Sequence, residues 1–290
     1  MAHEHRRPTA VILTALPLEY EAVRARLTDV RRREAPSGTR FDTGSLPGTP
    51  WEVAVAEIGM GSETAAVITN EAHSWLKPEV LLFVGVAGSL KDDVRIGDVV
   101  VATKVYAYHG GKQTPDGFLA RPGAWPASHR LLQAARAALR RGTGWHDPEP
   151  PVHFAPVAAG DVVLADAGSE LTAFLKRTFN DAAAIEMEAA GVAQAAQLTG
   201  TLQALVIRGI SDLADGNKGA ADAAGSQPRA ATHAATAAAA TLAELMPGDG
   251  TGTADSSEGS RPSPQYGGDH IDFRGGVFFG PVTGKIVGKE

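Results

Sequence analysis

Glu186 and Glu188 stand two residues apart around Met187, and further on an apolar stretch, 204–207, runs into Arg208, Ser211 and Asp212. Charged groups at the end of a buried strand are costly unless they are paired or used. That makes 182–216 the first place to look for chemistry. In a helix the two glutamates would point about 200° apart, whereas in an extended segment they share a face. Ile185 favours extension, and small helix-forming residues begin only at Ala189. Two carboxylates on one face can converge on one polar object such as a vicinal diol, since each accepts hydrogen bonds from hydroxyls. Met187 would supply a soft apolar surface between them. The alternative is a pair of exposed glutamates at a helix N-terminus. Arg208 and Asp212 bracket Gly209, Ile210 and Ser211. A partly desolvated aspartate in that position suits a general acid; the alternative is an Arg208–Asp212 ion pair that holds the loop.

Alternating strand and helix signals surround this stretch. Residues 10–16, AVILTAL, form an apolar run between Pro8 and Pro17 and read as a buried strand rather than a signal peptide. Pro17 opens an amphipathic helix with acids first and arginines later, as the helix dipole prefers. Glu19 therefore sits at a strand-to-helix turn, where α/β proteins place ligand groups, or else is a solvated first-turn acid. Strands are expected at 51–58, 79–87 and 99–108, with a further short one at Asp161–Leu164. Two of them end in glycines, at Gly59-Met60-Gly61 and Gly85-Val86-Ala87-Gly88. Such ends let a ligand approach the backbone or simply make tight turns. His109 beside a glycine pair reads as a loop residue. Helices are expected at 128–141 and 169–179, then in an alanine-dense run from Ala230 to Met246 that Ser226 would cap. Together these signals predict an α/β fold of three layers, helices on both faces of a central mixed, largely parallel twisted sheet.

Composition sets outer limits. The chain has 290 residues, 43% hydrophobic and 21% charged, enough for a sizeable core. A net charge of -6 argues against broad nucleic-acid or membrane-surface binding. The absence of cysteine excludes disulfides, thiolate metal sites and cysteine nucleophiles. No apolar run approaches a membrane span, so a cytoplasmic location is expected. Three segments are expected: a catalytic domain over 1–247, a Gly/Ser/Pro linker over 248–268 with the composition of a disordered chain, and a Gly/Phe-rich module or docking peptide over 269–290, which a protein partner could bind.

Ile185-Glu186-Met187-Glu188 and Arg208-Gly209-Ile210-Ser211-Asp212 are the most specific parts of a larger pattern that includes Ile58-Gly59-Met60-Gly61, Gly85-Val86-Ala87-Gly88 and Ile96-Gly97-Asp98-Val99-Val100. In this order and spacing they resemble the nucleoside phosphorylase superfamily over about 8–246, and within it the 5'-methylthioadenosine/S-adenosylhomocysteine nucleosidases. The resemblance implies a purine nucleosidase that releases adenine and serves methionine salvage, with no cofactor or metal. It further implies a homodimer or higher homo-oligomer, because the 5' pocket often borrows residues from a neighbouring subunit. It makes Asp212 the acid that protonates N7 of the purine, Glu188 the carboxylate on the ribose hydroxyls, and Met187 the residue under the sugar. Glu186 lines the same pocket, and Arg208 and Ser211 orient Asp212 and the water. Val163 and Leu164 read the base, while Val86, Ala87 and Gly88 line the strand end. Glu19 matches the acid that positions the attacking water, with Glu21 as fallback, since Pro17 lengthens that turn by one residue.

Phosphorylases surround phosphate with cations and hydroxyls; the hexameric ones take an arginine and a serine from the strand matching 82–88, which here reads LLFVGVAG. An acidic Glu19 would also repel phosphate, so hydrolysis is expected. Val86 stands where the nucleosidases have a serine. A phosphate-dependent phosphorylase and a defence-type nucleosidase acting on AMP or ATP are the alternatives, and in the second Lys218 and Arg229 would meet a 5'-phosphate. A non-catalytic sensor is disfavoured by the intact Glu19, Glu188 and Asp212 set.

Overall fold

The structure is a computed structural model that describes residues 7–115, 117–140, 149–164, 166, 168–215, 221 and 223–247. Lys218, the linker 248–268 and the module 269–290 lie outside those residues. The first half of the chain forms β1 (Thr9–Thr14), α1 (Pro17–Arg24), β2 (Thr28–Glu34), β3 (Arg40–Ser45), β4 (Glu52–Glu57), α2 (Ser62–Leu76), β5 (Val80–Ser89) and β6 (Val99–Ala107). Three short strands follow, β7 (Gly111–Thr114), β8 (Gly117–Ala120) and β9 (Gly123–Pro126), then α3 (His129–Arg140), β10 (Val152–Ala159) and α4 (Glu170–Thr178). The chain continues through β11 (Ala184–Glu186), α5 (Ala189–Thr199), β12 (Gln203–Asp212) and α6 (Ser226–Glu244).

Alternate residues of the apolar strands feed two cores, as strands covered on both faces require. Val11, Leu13, Ala54, Ala56, Leu81 and Phe83 join one core, which α2 and α5 cover. Ala10, Ile12, Val53, Val55, Leu82 and Val84 join the other, which α3 and α6 cover. The alanines of α6 allow close packing: the backbone of Ala230 lies directly against Gly209 of β12. The α1 helix is pinned from outside, where the Tyr20 hydroxyl and Arg24 donate to Asp42 of β3 at 2.5 and 2.7 Å.

The ten-stranded sheet runs β11-β10-β6-β12-β5-β1-β4-β3-β2, with β9 on β6. It is mixed: β4, β1, β5 and β12 are parallel, as are β6, β10 and β11, and β12 meets β6 antiparallel. A further antiparallel pairing of β11 with β5, Ile185 opposite Gly88, closes five strands into a ring. The ring gathers the ends of β5, β11 and β12 at one rim.

Several local expectations need correction. Asp161–Leu164 is not a strand; pairing ends at Ala159, and Val162 and Val163 stand 43% and 55% exposed in the loop that follows. Their β-branched character is used to wall a cavity instead. The strands β7, β8 and β9 escaped notice because each is four residues long and begins with glycine. Gly225, not Ser226, caps α6; its φ of 75° is a conformation glycine takes without strain.

Candidate active site

The strand ends define a cavity of about 330 Å³, lined from β5, β11 and β12, from the first turns of α1 and α6 and from the loops after β1, β4, β10 and β11. Ligand sites in open α/β sheets form at such carboxyl ends. The turn after β1 brings Glu19 in. Its side chain is folded back, so Oε2 accepts the amides of Ala15 and Leu16 at 2.8 and 2.9 Å and Oε1 accepts the amide of Val86 at 2.7 Å. Glu19 is 2% exposed and lines the cavity. Glu21, the fallback, is exposed and outside it.

Parallel register sets Arg208 of β12 beside Gly85 of β5. A Cβ at position 85 would lie 2.1 Å from Arg208 Nη1 and 2.4 Å from Glu19 Oε1. The absent side chain is therefore the space in which guanidinium and carboxylate approach each other. Arg208 is fully buried, with its guanidinium 4.0 Å from the centre of the Phe83 ring. Its Nη2 donates to Glu186 Oε2 and lies 4.0 Å from Glu188 Oε2. The ion pair that forms is thus Arg208–Glu186, and the loop-holding Arg208–Asp212 pair is not the arrangement here.

The glutamates are not exposed helix-end acids: Glu186 is 7% and Glu188 5% exposed. The Glu186 carboxylate accepts the amides of Glu188 and Ala189 at 3.0–3.2 Å, which seats the first turn of α5. Glu188 accepts the Gly61 amide at 3.1 Å, and Ser62 Oγ donates to Met187 O at 3.0 Å, so the start of α2 docks onto the same segment. Burial pushes the carboxyls of Glu19, Glu186 and Glu188 up from the ordinary range; Arg208 opposes this in all three, and Glu186 adds to it at Glu188.

Pairing of β12 with β5 slips between Ile210 and Asp212, and this bulge sets Asp212 opposite Gly88. A Cβ on Gly88 would come within 2.8 Å of Asp212 Oδ1. Ser211 Oγ donates to Asp212 Oδ2 at 3.0 Å, and the Ala214 amide donates to Oδ1 at 3.0 Å. Ser211 and Asp212 line the cavity together with Glu186, Met187 and Glu188. Val86, Ala87 and Gly88 form one wall, and Val163 and Leu164 another.

Six further residues line the cavity: Ala15, Leu16, Met60, Val162, Ile185 and Gln227. Met60 and Val162 lay within segments already noticed but were read as turn and strand, and Gln227 in the first turn of α6 carries no local signal. His109 is a loop residue whose Nδ1 accepts the Asp161 amide at 3.4 Å, away from the cavity lining. Arg229 is exposed beside Gly97 and does not line the cavity. Among the described residues, no group of three or more His, Cys, Asp or Glu is placed to hold a metal ion, and no helix is long and apolar enough to cross a membrane.

Carboxylates in front of a buried cation, with an aspartate on a strand-end bulge, accompany a wider match. The profile of the phosphorylase superfamily matches residues 9–246, and the chain belongs to that superfamily. Within it, the chain is similar to the 5'-methylthioadenosine/S-adenosylhomocysteine nucleosidase of Bacillus licheniformis, 30% identical over 213 residues that cover 70% of this chain and 85% of the relative. Solved structures share the fold. The nucleosidase of that name from Colwellia psychrerythraea, in complex with adenine, superposes with a TM-score of 0.72 at 23% identity, over 83% of this chain and 96% of that one. Futalosine hydrolase of Helicobacter pylori superposes at 0.71 with 24% identity, over 83% of this chain and all of that one (100%).

Proposed function

We propose that the chain hydrolyses the N-glycosidic bond of an adenine nucleoside such as 5'-methylthioadenosine or S-adenosylhomocysteine and releases adenine. The observation that carries this reading is the placement of Glu19, Glu188 and Asp212, from distant parts of the chain, on one cavity. The similarity to named nucleosidases supports the substrate class.

The chemistry follows from what each group can do. A purine anion is a poor leaving group, so Asp212, steadied by Ser211, protonates N7 as the bond breaks. The sugar becomes oxocarbenium-like, and the nearby carboxylates stabilise that positive charge. Glu188 accepts from the ribose hydroxyls above Met187, which fixes the sugar's orientation and removes part of the entropic barrier. Glu19 holds the water that attacks C1'. Its carboxyl is pushed up by burial, which makes it a stronger base than an ordinary glutamate. Arg208 stands behind the carboxylates and moderates their repulsion. Val163 and Leu164 flank the base, and the backbone of Val86, Ala87 and Gly88 completes the wall.

Among the described residues that line the cavity there is no lysine or arginine, which favours water over phosphate as the nucleophile. The same reading makes the protein a cytoplasmic enzyme of methionine salvage and a homo-oligomer. Met60, on the cavity lining, and Val67 on α2 are 66% and 67% exposed, apolar surface that suits a covering subunit. A panel of methylthioadenosine, S-adenosylhomocysteine, AMP, ATP and inosine, read by liberated base, tests the assignment. Release of adenine from the two thio nucleosides is expected; release from AMP or ATP alone would overturn it.

A further inference from the structure

We infer that Glu186 is a positioning residue: it holds the charge of Arg208 and the first turn of α5, so that Glu188 and Glu19 are left to face the cavity. The inference rests on the nucleosidase reading above and deepens it.

The geometry separates Glu186 from its two neighbours. Among the described residues, the cation nearest Glu188 Oε2 is Arg208 Nη2 at 4.0 Å, and both oxygens of Glu19 accept backbone amides. Glu186 makes the direct contact with Arg208 Nη2 and, with the same carboxylate, accepts two amides of α5. Its side chain is 3% exposed and that of Arg208 0%, so little solvent screens the pair. The groups that face Glu186 come from each packed element. Arg208 comes from β12, Glu188 from the cap of α5, the Tyr108 phenol from the segment after β6, and Glu19 from α1 across Arg208. Among these Arg208 is the one fixed cation.

Removing the Glu186 charge has a definite sign. Glu188 loses a repelling neighbour, and the whole attraction of Arg208 falls on Glu188 and Glu19. Both become easier to ionise, so activity that needs them ionised persists to lower pH. A purely structural role for Glu186, as filler and acceptor, would lower activity without moving that limb.

The test is the pH profile of kcat/KM for adenine release by Glu186→Gln and Glu186→Asp beside the wild type. Glu186→Gln keeps the shape and loses the charge; Glu186→Asp keeps the charge and loses length. The acid limb of Glu186→Gln is expected to move down by about one pH unit, and that of Glu186→Asp to stay with the wild type while kcat falls. A limb that follows shape, shifting in Glu186→Asp and not in Glu186→Gln, overturns the inference, as do three superimposed profiles. Should Glu186→Gln fail to fold, a shifted limb in Glu186→Asp overturns it and an unshifted one supports it. A wild type that releases no base defeats the nucleosidase reading itself, a result distinct from either.

Discussion

The amide of Val86 donates to the carboxylate of Glu19 at 2.7 Å, tying the end of β5 to the first turn of α1. The bond comes from the backbone, so the side chain at 86 is free to vary while Glu19 keeps its place. Val86→Ala is expected to retain kcat/KM within a few-fold, and Glu19→Gln to lose about 10²–10⁴-fold, the usual worth of a general base. Steady-state kinetics on methylthioadenosine check both. Equal losses would show that the valine side chain matters as much as the acid.

At Gly85 and Gly88 the space of a side chain is taken by Arg208 and Glu19 and by Asp212. Gly85→Ala drives a methyl into Arg208 and Glu19, and Gly88→Ala into Asp212. Overpacking of this kind costs about 1–3 kcal/mol. Both variants are expected to unfold at lower temperature, with activity falling more than stability accounts for. Calorimetry with kinetics on the same samples decides it; wild-type rates in Gly85→Ala would show that Arg208 and Glu19 need no such gap.

Ser211 supports Asp212 through one hydroxyl. A hydrogen bond to a charged group contributes roughly 1.5–3 kcal/mol, so Ser211→Ala should lower kcat about 10- to 100-fold and leave KM within two-fold. A change confined to KM would place Ser211 on the bound substrate instead.

Glu188 links activity to stability. Its carboxyl is raised by burial and by Glu186. The folded protein therefore holds a proton that the unfolded chain releases, and stability falls as pH rises from the ordinary carboxylate range through the raised value. Glu188→Gln removes that penalty and keeps an oxygen for the Gly61 amide. It should melt a few degrees higher than the wild type at pH 8, with the advantage shrinking toward pH 5, while turnover collapses. Thermal melts across pH check the sign; a lower melting temperature at pH 8 would contradict it.

Much of this architecture could be read from residues alone. The strand β5 is an uninterrupted apolar run, and α1 carries its proline, acids and arginines in the expected order. The extended reading of Glu186 and Glu188 rested on Ile185; β11 bears it out as far as Glu186, whereas Glu188, with a ψ of -29°, already caps α5. Other features were hidden for physical reasons. The ring closes through β11, three residues long, paired with a strand far back in the chain, and such a pairing leaves no periodicity. Val162 and Val163 looked like a strand because an apolar cavity wall and a buried strand use the same residue types. The choice of Glu186 over Asp212 as the partner of Arg208 depends on the register of β12 against Gly85, which no local pattern encodes.

Attack on the sugar carbon by a water held at Glu19 is what separates hydrolysis from phosphorolysis at this site. It is tested most directly by mass spectrometry of the sugar released from methylthioadenosine in ¹⁸O-enriched water, with and without phosphate. One ¹⁸O at C1 of free methylthioribose and a rate indifferent to phosphate are expected. A sugar 1-phosphate formed only when phosphate is present would contradict it.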